Sequence, residues 1–347
     1  MNKVGVGIIG CGNISGIYIE NIQASPQLEL VGVADINLER ARSVAERTGT
    51  AALTVDEMLA NPAVGIIVNL TVPKAHYEVA SAIVTAGKSV YIEKPLSNTR
   101  ADGKELLAQA KANGVLVGCA PDTFLGHGIQ TAKRVISSGR LGKVVGVSAN
   151  MMCHGHESWH PAPEFYYEVG GGPLFDMGPY YLTALVELLG PVRRVQGSAR
   201  VSFAQRVITS EPQKGKVIEV ETPTHIAGIL DFASGAVGQI TMSFDVWRHD
   251  MPHIEIYGEE GTMRVPDPNG FGGDVVLTQG VGDFEVVQDD GTEPKQNARG
   301  IGVEFMASGQ HRATGALAYH VLDVMQAVLE SSDQGVSISI DSDPFHG

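Results

Sequence analysis

Along the first third of the chain, short apolar runs alternate with amphipathic stretches. The runs are VGVGIIG (4–10), LELVGVAD (28–35), VGIIVNLTV (64–72), SVYIEK (89–94) and VLVGCA (115–120). Between them lie four helical patterns: Ile14 to about Ala24, NLERARSVAERTG (37–49), HYEVASAIVTAG (76–87) and RADGKELLAQAKANG (100–114). Strands that are apolar throughout and alternate with helices predict a parallel sheet covered on both faces. This is a doubly wound α/β domain, expected over residues 1–122.

Beyond it the period changes. A basic helix is expected over 129–138. VVGVSANMM (144–152), RVQGSARVSF (194–203), THIAGILDF (224–232), AVGQITMSFDVW (236–247) and HIEIYG (253–258) then alternate apolar and polar positions, as antiparallel strands do. Ser234-Gly235 and Glu260-Gly261 supply turns. Residues 266–300, rich in Gly, Asp and Pro, are expected to be exposed loops. A closing helix from Gly315 to Ser331 carries Leu317, Val321, Met325 and Val328 at helical spacing. Residues 123–347 therefore form a second, α+β domain.

Composition narrows the function classes. The 347 residues are 43% apolar and 18% charged, enough for two cores. The net charge of −14, with basic residues scattered, argues against a nucleic-acid or anionic-membrane partner. No apolar run reaches the length of a membrane span. The N-terminal apolar run is broken by glycines and reads as a first strand rather than a signal peptide. Cys11, Cys119 and Cys153 are few, odd in number and far apart. They exclude a cysteine-clustered metal and fit a reducing cytoplasm.

In GIIGCGNIS, Gly10 and Gly12 stand at a strand-to-helix turn, with Ser15 and Gly16 where a dinucleotide fingerprint has its third small residue. Such a turn brings backbone amides and a helix N-terminus to a pyrophosphate. Asp35 ends the second strand, where an acid bonds ribose hydroxyls and repels a 2′-phosphate. NAD is thus favoured over NADP, although Arg40 follows five residues later. In YIEKPLS, Glu93 and Lys94 lie at the C-terminal end of a parallel strand, the edge where such sheets bind ligands. Pro95 restricts Lys94 to extended backbone. Lys94 is either half of a surface ion pair or a donor to a reacting oxygen.

GCGNIS, Asp35, TVPKAH (71–76), EKP and GGGPLFDMGPYY together resemble the Gfo/Idh/MocA oxidoreductase family over nearly the whole chain. The resemblance implies an N-terminal Rossmann domain, a C-terminal domain built on a large, mostly antiparallel open sheet, and NAD(P)-dependent oxidation or reduction of sugars and polyols. It implies Lys94 as the catalytic lysine. It also implies Gly10, Gly12, Asn13, Ile14, Asp35, Thr71, Pro73, His76, Glu93 and Pro95 as cofactor neighbours, and a homodimer or homotetramer. Asp176 and Gly178 match the family's Asp-x-Gly-x-His pattern, but Tyr180 stands at the histidine position and Thr183 at a later aspartate. Tyr180 is then the acid/base, or it orients substrate while Lys94 relays the proton.

If the helix already runs at Asp176, Asp176 and Tyr180 share a face. If Pro179 sits in the first turn instead, Asp176 lies in the preceding loop. Either way, the three glycines of 170–172 would let backbone approach cofactor and sugar. In MMCHGHESWHPAPEFYY (151–167), His156, Trp159 and His160 suit sugar hydroxyls and an apolar sugar face. Gly155 and Pro161 break the helix that a His156–His160 metal pair would need, so no metal is expected. Asp122 is a further candidate for a substrate hydroxyl. The leading expectation is hydride transfer between NAD and a secondary alcohol or ketone of a sugar, glycoside or cyclitol. The alternatives are an NAD-recycling enzyme that cleaves glycosides, and a non-catalytic NAD and sugar sensor.

Overall fold

The computed structural model describes residues 3–289 and 291–345. In chain order, the first elements are β1 (Val4–Ile9), α1 (Ser15–Ala24), β2 (Leu28–Ala34), α2 (Leu38–Thr48), β3 (Ala51–Leu53) and α3 (Val55–Ala60). Then come β4 (Ile66–Asn69), α4 (His76–Thr85), β5 (Ser89–Ile92), α5 (Arg100–Asn113) and β6 (Val117–Cys119). The strands order 3-2-1-4-5-6 and all pair in parallel.

Local chemistry sets the helix ends. The Asn37 side chain accepts from the Arg40 N–H at the start of α2, and Gly49 closes it in the left-handed region. Thr54 and Glu57 make a reciprocal capping box on α3. Ile9, Ile67, Val90, Ile92 and Leu106 are buried together in the core between sheet and helices. β4 is buried along its whole length, as a strand covered on both faces must be. The long apolar runs of the sequence are trimmed at their C-terminal ends. Residues 70–72 and 93–94 leave the sheet as loops.

The next elements are α6 (His127–Ser137), β7 (Val144–Met152), α7 (Gly172–Leu189), β8 (Val192–Arg200), β9 (Gln205–Val207) and β10 (Val217–Glu219). They are followed by β11 (His225–Phe232), β12 (Val237–Ser243), β13 (Ile254–Gly258), β14 (Gly261–Val265), β15 (Val276–Gln279) and β16 (Glu285–Val286). The chain closes with α8 (Ile301–Ala307), α9 (Gly315–Gln334) and β17 (Ile338–Ser339). Nine strands form one open sheet in the order 16-15-14-13-7-12-11-8-17. Its pairings are antiparallel except one: β7 and β12 run parallel. The sheet is thus mostly antiparallel, as expected; the one parallel pair carries no mark in the sequence, since alternation along a strand carries no information on a partner's direction. On β11, buried and exposed positions alternate as the pattern predicts. The expected loop at 266–300 also differs, since β15 and β16 extend the sheet from within it.

The chain divides into two compact units. One holds Met1–Leu125, Gln296–Leu322 and Asp343–Gly347, and the other Gly126–Lys295 and Asp323–Ser342. A division into 1–122 and 123–347 misses the return of the chain to the first unit. The reason is a set of contacts at the sheet edge. Thr314 bridges Gly118, the Cys119 N–H donates to the Ala313 carbonyl at 3.0 Å, and Tyr319 packs on the core.

Candidate active site

In the first unit, the β1–α1 turn is set by two glycines with different reasons. Gly10 has φ +105°, and a Cβ there would lie 2.6 Å from the Leu70 backbone. At Gly12 a Cβ would meet nothing within 4 Å. The turn from Gly12 to Ile14 is exposed. The Ser15 hydroxyl donates back to the Gly12 carbonyl at 2.7 Å and fixes the helix start. The result is an open backbone surface at a helix N-terminus, which suits a pyrophosphate.

Asp35 is held beside that turn by its two oxygens. Oδ2 accepts from the Cys11 N–H and Oδ1 from the Asn37 N–H, each at 2.8 Å. Arg40 reaches the same carboxylate at 3.6 Å. Burial and the Asp35 charge push the Cys11 thiol up to about 11, which keeps it protonated.

Lys94 follows β5, half-buried, and its peptide bond to Pro95 is cis. The Glu93 carboxylate braces the segment. It accepts from the Lys94 N–H at 2.9 Å and from the Tyr18 hydroxyl at 2.7 Å. Thr71 is fixed by Asn69, whose Oδ1 takes both its N–H and its hydroxyl. Pro73 is exposed.

Two candidates of this unit sit elsewhere than expected. His76 is only 1% exposed, so its ring has no surface to offer a cofactor. Its Nδ1 meets the Pro95 carbonyl at 2.7 Å and its Nε2 the Thr71 carbonyl at 2.9 Å. Burial lowers its pKa, against the pull of those carbonyls. His76 therefore ties two loops together. Asp122 is also 1% exposed, and its Oδ2 accepts from the N–H groups of Gly300 and Gly302 at the start of α8. Burial raises its pKa to about 6 despite those donors. It anchors a helix start and presents no atom to a substrate hydroxyl.

In the second unit, α7 begins at Gly172 with Pro173 in its first turn, and Pro179 lies inside the helix. Asp176 and Tyr180 are therefore both helical, which overturns the placement of Asp176 in a preceding loop. Two of the three glycines here are packed, while a Cβ at Gly170 would meet nothing within 4 Å. A Cβ at Gly171 would lie 2.6 Å from the Phe165 carbonyl oxygen. Gly172 has φ +80°, and its Cβ would lie 2.7 Å from the Pro223 carbonyl oxygen. Close crossing of protein backbone, rather than approach of a ligand, demands glycine at both. Tyr180 is buried on this helix, 7% exposed. Tyr181 donates to or accepts from His253 Nδ1 at 2.8 Å.

The segment after β7 is pinned from below. Gly155 (φ +70°) turns the chain. Glu157 is buried and pairs with Arg206 at 3.2 Å, and Arg206 also bonds Asp245. The Glu157 carbonyl accepts from the N–H groups of Thr209 and Ser210 at 2.9 Å. This frame lifts His156 against Asp176, Nε2 to Oδ2 3.6 Å. The His156 ring stacks on Tyr166 with centroids 3.9 Å apart. Trp159 is 62% exposed, with its ring 5.2 Å from that of His156. His160 accepts from the Ala162 N–H at its Nδ1. The His160 N–H bonds the His156 carbonyl at 3.0 Å in a single turn. Arg206 and Asp245 carried no sequence motif. Their partners lie far away in sequence, so no local pattern marks them.

Comparison with known proteins decides the class. The model described as "Oxidoreductase family, NAD-binding Rossmann fold" matches residues 4–120, and that of the GFO/IDH/MocA C-terminal domain matches residues 129–264. The chain belongs to the Gfo/Idh/MocA family. It is an enzyme, an NAD(P)-dependent oxidoreductase. Myo-inositol 2-dehydrogenase of Thermotoga maritima is 26% identical over 80% of this chain and 79% of that one. A dTDP-3,4-didehydro-2,6-dideoxy-α-D-glucose 3-reductase of Streptomyces violaceoruber is 32% identical over 56% of each chain. Levoglucosan dehydrogenase in complex with NADH and L-sorbose shares the fold, with TM-score 0.84 at 19% identity, covering 99% of this chain and 100% of that one. Among the described residues of this family member, no helix is long and apolar enough to cross a membrane.

Proposed function

We propose that this oxidoreductase uses NAD to interconvert a secondary alcohol and a ketone on a sugar, glycoside or cyclitol. The observation that carries the reading is the β1–α1 turn. Gly12 faces open space beside a carboxylate, Asp35, already fixed by two backbone amides. Gly10, Gly12, Asn13 and Ile14 would face the pyrophosphate, and Asp35 the adenosine ribose. Thr71, Pro73, Glu93 and Pro95 would shape the nicotinamide side. Bound NAD supplies a hydride acceptor. Asp35 favours NAD over its phosphorylated form, and Arg40 tempers that preference through its 3.6 Å contact with the acid.

Lys94 is braced at its backbone by Glu93, and its ammonium would bond the reacting oxygen and stabilise alkoxide character. Asp176, His156, Trp159 and His160 would grip the substrate, Trp159 through the face of its exposed ring. The names of the relatives, an inositol dehydrogenase and a nucleotide-sugar reductase, support a polyhydroxylated substrate.

The test is the nicotinamide absorbance of purified protein mixed with NAD or NADP. The panel holds free aldoses, glycosides blocked at the anomeric carbon, anhydrosugars and inositols. A rise with NAD on at least one of them is expected, with a smaller rise or none with NADP. A flat trace across the panel, from protein shown to bind NAD, would reject net dehydrogenation in favour of internal cofactor recycling or sensing.

A further inference from the structure

We propose that Trp247, in the second unit, is the floor of a subsite for a second, uncharged sugar ring, so that the protein acts on neutral disaccharides or longer glycosides. This rests on the hydride-transfer reading above and names its substrate class. The subsite begins at the parallel pair of the large sheet. β7 and β12 run side by side with Met152 opposite Ser243, so the chain leaves both strands at the same edge. The C-terminal ends of parallel strands are where such sheets hold ligands. The two exits are tied together. The Cys153 N–H donates to the Ser243 carbonyl at 2.9 Å, and the Val246 N–H donates to the Cys153 carbonyl at 3.1 Å. Glu157 of one exit and Asp245 of the other share Arg206.

Both tryptophans of the chain stand on these exits, Trp159 on the first and Trp247 on the second, and both are exposed. Such large apolar rings are mostly buried. Trp247 is 82% exposed and is nonetheless fixed. His154 lies flat against it, with ring centroids 3.4 Å apart and planes 15° from parallel. The imidazole covers one face of the indole, and the other face is open. A ring already held in place loses little freedom when a ligand stacks on it. The apolar face of a pyranose suits that surface. The platform is continuous with the residues assigned to the reacting sugar. His154 is two residues from His156, and Phe244, at the root of the second exit, meets the His156 ring edge-on at 4.6 Å.

Charge decides the occupant. Residues 153–171 and 244–253 carry five acids, Glu157, Glu164, Glu168, Asp245 and Asp250, and one basic residue, Arg248. Arg206 and Lys216 reach these segments from outside them and are taken up by Glu157, Asp245 and Glu164. A phosphate or a nucleotide diphosphate needs cations that are still available to it, and a neutral ring does not. Arg248 and Asp250 follow Trp247 closely in sequence, are almost fully exposed and approach each other to 3.7 Å. They offer a donor and an acceptor for hydroxyls, which a second pyranose has and a plain aryl group lacks.

The experiment compares methyl glucosides, phenyl glucoside, UDP-glucose and the neutral disaccharides maltose, cellobiose, lactose and trehalose. Its first readout needs no turnover. It is the quenching of tryptophan fluorescence by acrylamide in the protein without added NAD. At least one disaccharide is expected to shield tryptophan, with less shielding in Trp247→Ala. The second readout is kcat/KM with NAD. That disaccharide is expected to exceed the methyl glucosides by roughly 3- to 10-fold, the worth of one stacked ring, and Trp247→Ala to erase the advantage through KM. Trp247→Phe keeps a flat ring and should restore part of it, and melting curves check that each variant is folded. Shielding by none of the disaccharides, or equal shielding in wild type and Trp247→Ala, overturns the proposal. So does an advantage that survives in Trp247→Ala, or a preference for UDP-glucose or phenyl glucoside over every disaccharide. Light scattering tests the remaining occupant: if Trp247→Ala lowers the mass of the wild-type assembly, a second copy of the chain covers the ring, and the subsite is rejected. If wild-type protein oxidises nothing in the panel, the functional reading fails, and shielding that is lost in Trp247→Ala still upholds the platform.

Discussion

Each unit starts a helix from a glycine-rich turn, and the glycines just before the two helices do opposite things. At α1, Gly12 leaves space that a ligand can fill. At α7, Gly171 and Gly172 are packed against the carbonyls of Phe165 and Pro223. The acids differ in parallel. In the first unit, Asp35 and Asp122 are held by backbone N–H groups, which carry dipoles but no charge. In the second, Glu157 and Asp245 share the buried guanidinium of Arg206. These acids of the first unit are thus held by backbone geometry, and those of the second by side-chain charge. Removing one side chain should therefore hurt the second unit more than the first.

The largest effect tests that directly. Arg206→Ala leaves two carboxylates buried against one another's field without their counter-charge, and should cost roughly 3–5 kcal/mol of unfolding free energy. Adding Glu157→Gln and Asp245→Asn should recover much of it, because neutral amides tolerate burial better than unpaired charge. Denaturant titration of the single and triple variants measures both numbers. A loss under about 1 kcal/mol for Arg206→Ala would mean that the triad is not the frame of the His156 segment.

The next effect belongs to the first unit and depends on pH. Asp122 titrates near 6 in the folded protein and near 4 in an unfolded chain. Between those values the folded state binds the extra proton, so stability is full below about pH 4 and falls as pH rises toward 6. The fall is on the order of 3 kcal/mol, from 1.4 kcal/mol for each pH unit. In Asp122→Asn this part of the slope should vanish. Parallel slopes for wild type and Asp122→Asn across that window would show that the N–H groups of Gly300 and Gly302 satisfy the charge fully.

What the sequence made legible follows from the same contrast. Strands β4 and β5 are buried along nearly their whole length, so their apolar runs announce a parallel sheet. The edge that carries Thr71 and Lys94 could be placed from strand order alone. Strands β15 and β16 were not legible, because Gly- and Pro-rich sequence hides short elements that tertiary contacts stabilise, and helix α8 is too short to show a helical period. Nor was the role of Asp122. An acid just after a strand looks the same whether it faces solvent or caps a helix far along the chain. The His156–Asp176 pair was visible only as two separate candidates, since residues 20 apart in an irregular segment carry no shared period. The glycines of 170–172 suggested backbone open to cofactor and sugar, whereas Gly171 and Gly172 meet other protein backbone.

The smallest expected effect on stability is the sharpest test of the glycine comparison. Gly10→Ala forces a side chain into a left-handed backbone and against the Leu70 backbone, and should cost about 1–3 kcal/mol. Gly12→Ala adds its methyl to open space and has no positive φ to strain, so stability should change by no more than about 0.5 kcal/mol. Its effect should appear instead in calorimetric titration with NAD, where the methyl occupies the approach of the pyrophosphate and binding weakens. The two alanines thus separate a glycine required by the fold from one required by the ligand. Equal destabilisation by both would make the turn purely structural. A stable Gly12→Ala that binds NAD as wild type does would move the pyrophosphate away from this turn, and with it the assignment of Asp35 to the ribose.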